Sequence, residues 1–152
     1  MSTLFRLQIP RRLYEGVLEQ ARAEFPNECC GLLAGRLDQG PPPLGRAVRR
    51  YPLVNAADCP ARRYYADEKS LVNAVRDLRE RGLDVLAIYH SHPTSDPVPS
   101  RTDLEQNYWP GVVSLIISLK ADVPCVRGWW LADNTYHAAE WEVVPDEEGP
   151  AD

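Results

Sequence analysis

Hydrophobic positions along this chain change period several times, and each change predicts an element. Leu4-Phe5-Arg6-Leu7-Gln8-Ile9 reads as a short strand. Pro10 then opens a helix, where its missing N–H costs nothing. Leu13, Val17, Ala21 and Phe25, with Tyr14 and Leu18 beside them, form one apolar stripe at helical spacing, and Pro26 ends it. Cys29 to Leu33 is a compact apolar strand running toward Arg36. Gln39-Gly40-Pro41-Pro42-Pro43 marks a surface loop, and Ala47 to Val54 predicts another strand.

Leu71, Ala74, Val75 and Leu78 mark a second amphipathic helix, closed by Gly82. Asp84-Val85-Leu86-Ala87-Ile88-Tyr89 is a near-continuous apolar run, which predicts a central strand covered on both faces. A short helix follows from Ser100 to about Tyr108, then a buried strand from Val112 to Leu119. Val126 to Leu131 and Thr135 to Val144 are expected to form a hairpin across Asp133-Asn134. The order of strands and helices, without repeats or linkers, predicts one α/β domain over residues 1–144. The acidic segment 145–152 reads as a disordered tail.

Composition narrows the function classes. The chain has 152 residues, 44% of them hydrophobic, enough for one domain with a real core. Its formal net charge of −5 offers no electrostatic footprint for nucleic acid. No apolar run approaches the ~20 residues of a membrane span. The first residues lack the apolar stretch of a secretory signal, so a cytoplasmic location is expected. Cys29, Cys30, Cys59 and Cys125 form no C-x-x-C pair, and free thiols are expected.

The candidate chemistry lies where the central strand ends. His90-Ser91-His92-Pro93 places two imidazoles at i and i+2 of an extended segment, so both point the same way. Ser100-Arg101-Thr102-Asp103 follows. It reads as a capping box, with Ser100 as N-cap and Asp103 near N3. The same turn can also bring the Asp103 carboxylate to the two rings. Two histidines and one carboxylate would leave a fourth position for water, which distinguishes catalytic from structural zinc. A general base is then needed. Glu28, at the mouth of the Cys29–Leu33 strand, is the candidate, although a solvated turn residue after Pro26 would look the same in sequence. A cysteine nucleophile at Cys29 or Cys30 has no histidine–carboxylate arrangement to support it. His137 reads as a packing or edge residue, Asp96 as a turn residue. One of the adjacent Trp129 and Trp130 is expected to point inward and the other outward, the outward one reading as a covered core edge rather than a partner contact.

Pro26-Asn27-Glu28-Cys29-Cys30-Gly31-Leu32-Leu33, together with His90-Ser91-His92-Pro93, Ser100 and Asp103, resembles the JAMM metalloproteases, the catalytic members of the MPN family. The resemblance spans roughly residues 5 to 132, and no residue of the joint motif is missing. It implies a cytidine-deaminase-like α/β fold: a mixed, curved β-sheet with flanking helices. It implies one zinc ion per chain held by His90, His92 and Asp103. Glu28 matches the general acid/base that works through the zinc-bound water, and Ser100 the residue that helps stabilise the tetrahedral oxyanion. The activity implied is a metallopeptidase or isopeptidase cutting after the C-terminal Gly-Gly of a ubiquitin-like protein. For short members of prokaryotic type the partner implied is a ubiquitin-like sulfur carrier. The alternative is a non-catalytic MPN-like module that binds such a partner. A nucleobase deaminase would need H-x-E and C-x-x-C zinc ligands, and neither occurs. Whether two copies pair as a homodimer is left open by the sequence.

Overall fold

A computed structural model describes residues 4–106 and 109–147. The chain runs β1 (Arg6–Pro10), α1 (Arg11–Glu24), β2 (Cys30–Asp38), β3 (Leu44–Leu53), α2 (Glu68–Glu80), β4 (Asp84–His92), α3 (Arg101–Glu105), β5 (Val113–Ser118), β6 (Cys125–Ala132), β7 (Thr135–Ala138) and β8 (Trp141–Val144). All the strands join one mixed sheet of order β7-β6-β5-β4-β2-β3-β1-β8.

β4 lies inside this order, between antiparallel β2 and parallel β5. Its two faces feed two separate cores, as its apolar run predicts. Leu86 and Tyr89 join the cluster built with Leu13, Val17 and Ala21 of α1. Val85 and Ile88 face the cluster built with Ala74 and Leu78 of α2. One helix therefore covers each face. The α1 stripe ends at Ala21, because Phe25 is half exposed past the end of the helix. α2 is capped by Asp67, whose side chain accepts the Ser70 N–H at 3.0 Å. It stops at Gly82, whose φ of +71° suits glycine, while the Leu83 N–H returns to the Leu78 carbonyl.

The expected long strand from Thr135 to Val144 is two strands. β7 makes the hairpin with β6, whereas β8 pairs in parallel with β1 at the opposite edge. Only Ala139 and Glu140 join them. Three Cα–Cα steps of about 3.8 Å separate Ala138 from Trp141, so the two sheet edges lie within roughly 11 Å. The link itself bridges them: the Ala139 N–H donates to the Gly128 carbonyl at 2.9 Å, and the Glu140 carbonyl accepts the Leu7 N–H at 3.0 Å. The sheet is thus curled nearly shut around the α1 core.

Trp129 and Trp130 are both buried. Trp130 meets Phe5 edge-on at 5.2 Å in the α1 core. Trp129 occupies the other face, where the segment after His92 covers it and its Nε1–H donates to the Pro97 carbonyl at 2.8 Å. The β2–β4 contact is close at one point. A Cβ on Gly31 would stand 2.2 Å from the Tyr89 ring, so only glycine lets that ring lie across β2.

Past β8, Asp146 Oδ1 accepts the Arg12 N–H at 2.9 Å. The rest of the expected tail, 148–152, lies outside the described residues, as does Tyr108 at the expected end of the short helix. Among the described residues no helix is long and apolar enough to cross a membrane.

Candidate metal centre and its carboxylate

β4 carries His90 and His92 to the rim of the sheet. Period-two alternation turns both toward the α2 side and turns Ser91 the other way. Antiparallel pairing sets Cys30 opposite His90. Continued by two residues, that register brings Glu28 level with His92. A lock at the rim holds the pairing: the Ser91 hydroxyl accepts the Cys29 N–H at 2.8 Å, and the Ser91 N–H donates to the Cys29 carbonyl at 3.1 Å. Ser91 was not singled out in the sequence. The available signal is its place between two histidines on a buried strand, where a hydroxyl needs a partner.

α3 brings the carboxylate. The capping box forms as its sequence predicts, with the Asp103 N–H donating to Ser100 Oγ at 3.1 Å and the Ser100 N–H to Asp103 Oδ2 at 2.8 Å. The same Oδ2 lies 3.2 Å from His90 Nε2 and 3.2 Å from His92 Nε2, and the two nitrogens are 3.2 Å apart. His92 Nδ1 is 2.8 Å from the Asp96 carbonyl. A carbonyl accepts only, so Nδ1 carries a proton and, in the neutral ring, Nε2 presents a bare lone pair. Asp96 thus contributes a backbone oxygen to the site as well as making the turn. The turn is itself pinned by Ser118 Oγ–H donating to the Ser95 carbonyl at 2.6 Å and by Trp129.

These atoms fit a metal ion. Ligands of a tetrahedral ion at ~2.0–2.1 Å stand roughly 3.3–3.4 Å apart, and here a carboxylate oxygen and two imidazole nitrogens converge at 3.2 Å. Together they make up a cluster able to hold a cation. Glu28 is 5% exposed, which excludes a solvated turn residue, and its Oε1 has no hydrogen-bond partner among the described residues. A buried carboxylate oxygen without a partner is costly, and such groups mark reactive positions.

The electrostatics separate the two carboxylates. Burial raises the Glu28 pKa from 4.5 to about 7, against the pull of His90 and His92 and with the push of Asp103. Burial opposes ionisation of Asp103 too, but His90, His92 and the Ser100 N–H outweigh it and hold its pKa far below the ordinary range. His92 is likewise penalised by burial, yet Asp103 and the Asp96 carbonyl raise its pKa. Burial lifts Cys29 to about 11 and Cys30 to about 12, so neither is a thiolate at neutral pH. His137 is exposed on β7, away from this group.

Tyr64, from the loop before α2, lies against the His90 ring at 4.7 Å. It lines a cavity of about 230 Å³ formed with Leu53, Leu71, Ile88 and Trp109, which reaches Asp103. No pattern in the sequence marked this tyrosine.

A stability effect follows from Glu28. Its folded pKa lies above its ordinary value, so its contribution is fully present below pH ~4.5 and is lost as pH rises through about 7. Glutamine cannot ionise and escapes that loss. In zinc-free protein, the unfolding free energy of Glu28→Gln relative to the unmutated chain is expected to rise between pH 4.5 and pH 8. The rise is up to about 3 kcal/mol, at 1.36 kcal/mol per pH unit. Urea titrations at the two pH values measure it, and a constant difference would contradict the buried, near-neutral carboxyl.

The chain matches the family of prokaryotic homologs of the JAB domain over residues 10–132. It is 38% identical over 120 residues to a desampylase of Haloferax volcanii, covering 76% of this chain and 83% of that protein. It is 40% identical over 108 residues to a probable TtuB-protein conjugate cleaving protease of Thermus thermophilus, covering 68% of this chain and 64% of that protein. A protein of Desulfitobacterium hafniense, solved in solution, superposes with a TM-score of 0.82 at 30% identity, covering 93% of this chain and 95% of the other.

Proposed function

The chain belongs to the family of prokaryotic homologs of the JAB domain, and from that premise we propose that it is a zinc-dependent peptidase or isopeptidase cutting after the C-terminal Gly-Gly of a ubiquitin-like sulfur carrier. One observation carries this reading. Three metal-binding atoms converge within 3.2 Å of one another, and the buried Glu28, whose Oε1 has no hydrogen-bond partner among the described residues, stands level with them on the adjoining strand mouth. The relatives named desampylase and TtuB-protein conjugate cleaving protease support the substrate class. In this reading the curved sheet with a helix on each face is a cytidine-deaminase-like domain over 1–144, working in the cytoplasm.

His90, His92 and Asp103 would hold the zinc ion, which supplies an acidified water and a Lewis acid for the scissile carbonyl. Glu28 takes up a proton and passes it to the departing amine. A carboxyl with a pKa near 7 does both at neutral pH, because neither protonation state is far from ambient. Asp103 stays ionised and balances the cation. Ser100 spends its oxygen on the helix cap, which leaves its hydroxyl hydrogen free to donate to an oxyanion in the cleft. Such a donor contributes up to about 3–4 kcal/mol to the barrier reduction. The Asp96 carbonyl keeps the His92 proton on Nδ1 and so keeps Nε2 available.

Zinc-loaded protein incubated with a sulfur carrier extended past Gly-Gly is expected to release a carrier ending in Gly-Gly, read by intact mass. A mixture of unchanged mass with zinc still bound removes the hydrolase reading. Calorimetric binding in that same mixture would assign the protein to the non-catalytic module instead.

A further inference from the structure

Between β3 and α2 the chain makes an excursion, residues 54–67, that sequence periodicity leaves blank. Its order centres on one side chain. Asn55 Nδ2–H donates to the Glu28 carbonyl at 2.9 Å, to the Arg63 carbonyl at 3.1 Å and to the Pro60 carbonyl at 3.4 Å. Asn55 Oδ1 accepts the Ala57 N–H at 3.0 Å and the Tyr65 N–H at 3.1 Å. The backbone answers with a bridge between Asn55 and Ala66, and the Glu28 N–H donates to the Pro60 carbonyl at 2.7 Å. Glu28 is therefore gripped on both sides of its α-carbon: its N–H by the loop, its carbonyl by Asn55. The loop so anchored lays Tyr64 against His90 at 4.7 Å.

Beside Asn55 the loop is held by backbone bonds, among them the Ala56 N–H to the Tyr65 carbonyl at 2.7 Å and the Asp67 N–H to the Val54 carbonyl at 2.8 Å, and by Tyr64 and Ala66 packed against the α2-side core. Cys59, Arg62 and Arg63 are exposed, and Val54 and Tyr65 are each 59% exposed. A short amide suits the site, which demands two donor hydrogens on one atom and an acceptor of two N–H groups on another, more than a single hydroxyl supplies. Aspartate supplies the acceptor alone, and alanine neither.

We propose that Asn55 is a positioning residue for the reaction: its carboxamide fixes the backbone of Glu28 and the loop that places Tyr64 on His90. The proposal rests on the hydrolase reading for the reaction it serves, and on the hydrogen bonds of Asn55 for the anchoring. Asn55 touches neither the metal-binding atoms nor the cleft carboxyl. It acts through Glu28, so its removal should reach turnover and leave zinc binding alone.

Asn55→Ala and Asn55→Asp, each loaded with zinc, test it. For Asn55→Ala, kcat on a Gly-Gly carrier fusion is expected to fall about 10- to 100-fold through misplacement of Glu28. Zinc affinity should stay within about threefold, and trypsin cleavage after Arg62 and Arg63 should quicken by roughly tenfold or more. Asn55→Asp keeps the two accepted bonds and loses the donated ones. It also turns a carboxylate oxygen toward the three carbonyl oxygens that the amide bonds, so it should recover neither trypsin resistance nor kcat, with zinc affinity again within about threefold, whereas general unfolding would lower zinc affinity together with kcat. An Asn55→Ala protein with unchanged kcat, or one that loses zinc in step with kcat, overturns the proposal, as does an Asn55→Asp protein with full turnover. If neither variant folds, hydrogen exchange on the unmutated protein decides. The N–H groups of Glu28, Ala57 and Tyr65 should be protected at least roughly 100-fold more than an open loop, and exchange at open-loop rates overturns the anchoring. An unmutated protein that cuts nothing removes the hydrolase reading, while exchange and trypsin still judge the anchor.

Discussion

Glu28→Gln is expected to lower the cleavage rate by about 10²–10⁴-fold, the range associated with loss of a general acid/base, and to leave one zinc ion bound per chain. Glutamine has nearly the shape of glutamate and keeps the buried position, but it cannot accept a proton. Glu28 Oε1 makes no hydrogen bond among the described residues, so the change breaks no contact of that oxygen. The same substitution should stabilise the zinc-free protein at pH 8, as argued above. Loss of turnover joined to gained stability marks a residue kept for chemistry at the expense of the fold. Steady-state rates with zinc content read on the same sample check it. A glutamine variant of full activity would remove Glu28 from the mechanism.

Asp103→Asn should cost the site its metal. Asparagine keeps an oxygen that can accept the Ser100 N–H, so the turn held by the capping box persists. It removes the charge that faces both imidazoles at 3.2 Å. Loss of an outer partner alone weakens metal binding by about 10–100-fold, and loss of a charged ligand should exceed that. Zinc affinity is therefore expected to fall at least roughly 100-fold, and turnover with it. Competition against a chromophoric chelator measures the affinity, and circular dichroism checks that α3 and the sheet persist. A variant holding zinc as tightly as the unmutated protein would sink the assignment of Asp103 as a ligand.

Much of the site follows from short-range rules. His90 and His92 share a side because a strand has period two, and the strand end was set by the apolar run before it. Ser100 and Asp103 form their box because the bonds span three residues. Glu28 was less legible. Two residues beyond a proline, it reads equally as a surface turn. Its burial comes from pairing with a strand whose nearest bond, Cys29 to Ser91, crosses 62 residues. Tyr64 and Asn55 carry no periodic signal, and the place of Ser91 on β4 does not reveal its partner, since each acts through a contact with a distant backbone or ring.

The fold divides the same way. The helix stripes and the two-sided β4 run were visible as patterns, but the split between β7 and β8 was not. Thr135 to Val144 reads as one strand, yet its halves pair at opposite edges of the sheet. Trp129 and Trp130 take opposite faces as adjacent strand residues must, and the outward one is covered by the Pro97 segment, as expected of a core edge.

By itself the sequence determined the local elements, the helix caps and the set of side chains able to bind a cation, because each depends on neighbours a few residues away. Only the tertiary structure decided which strands meet, how far the sheet curls and that Glu28 is dry. Those outcomes depend on closing long loops against the summed burial of many residues, and no local pattern encodes that sum.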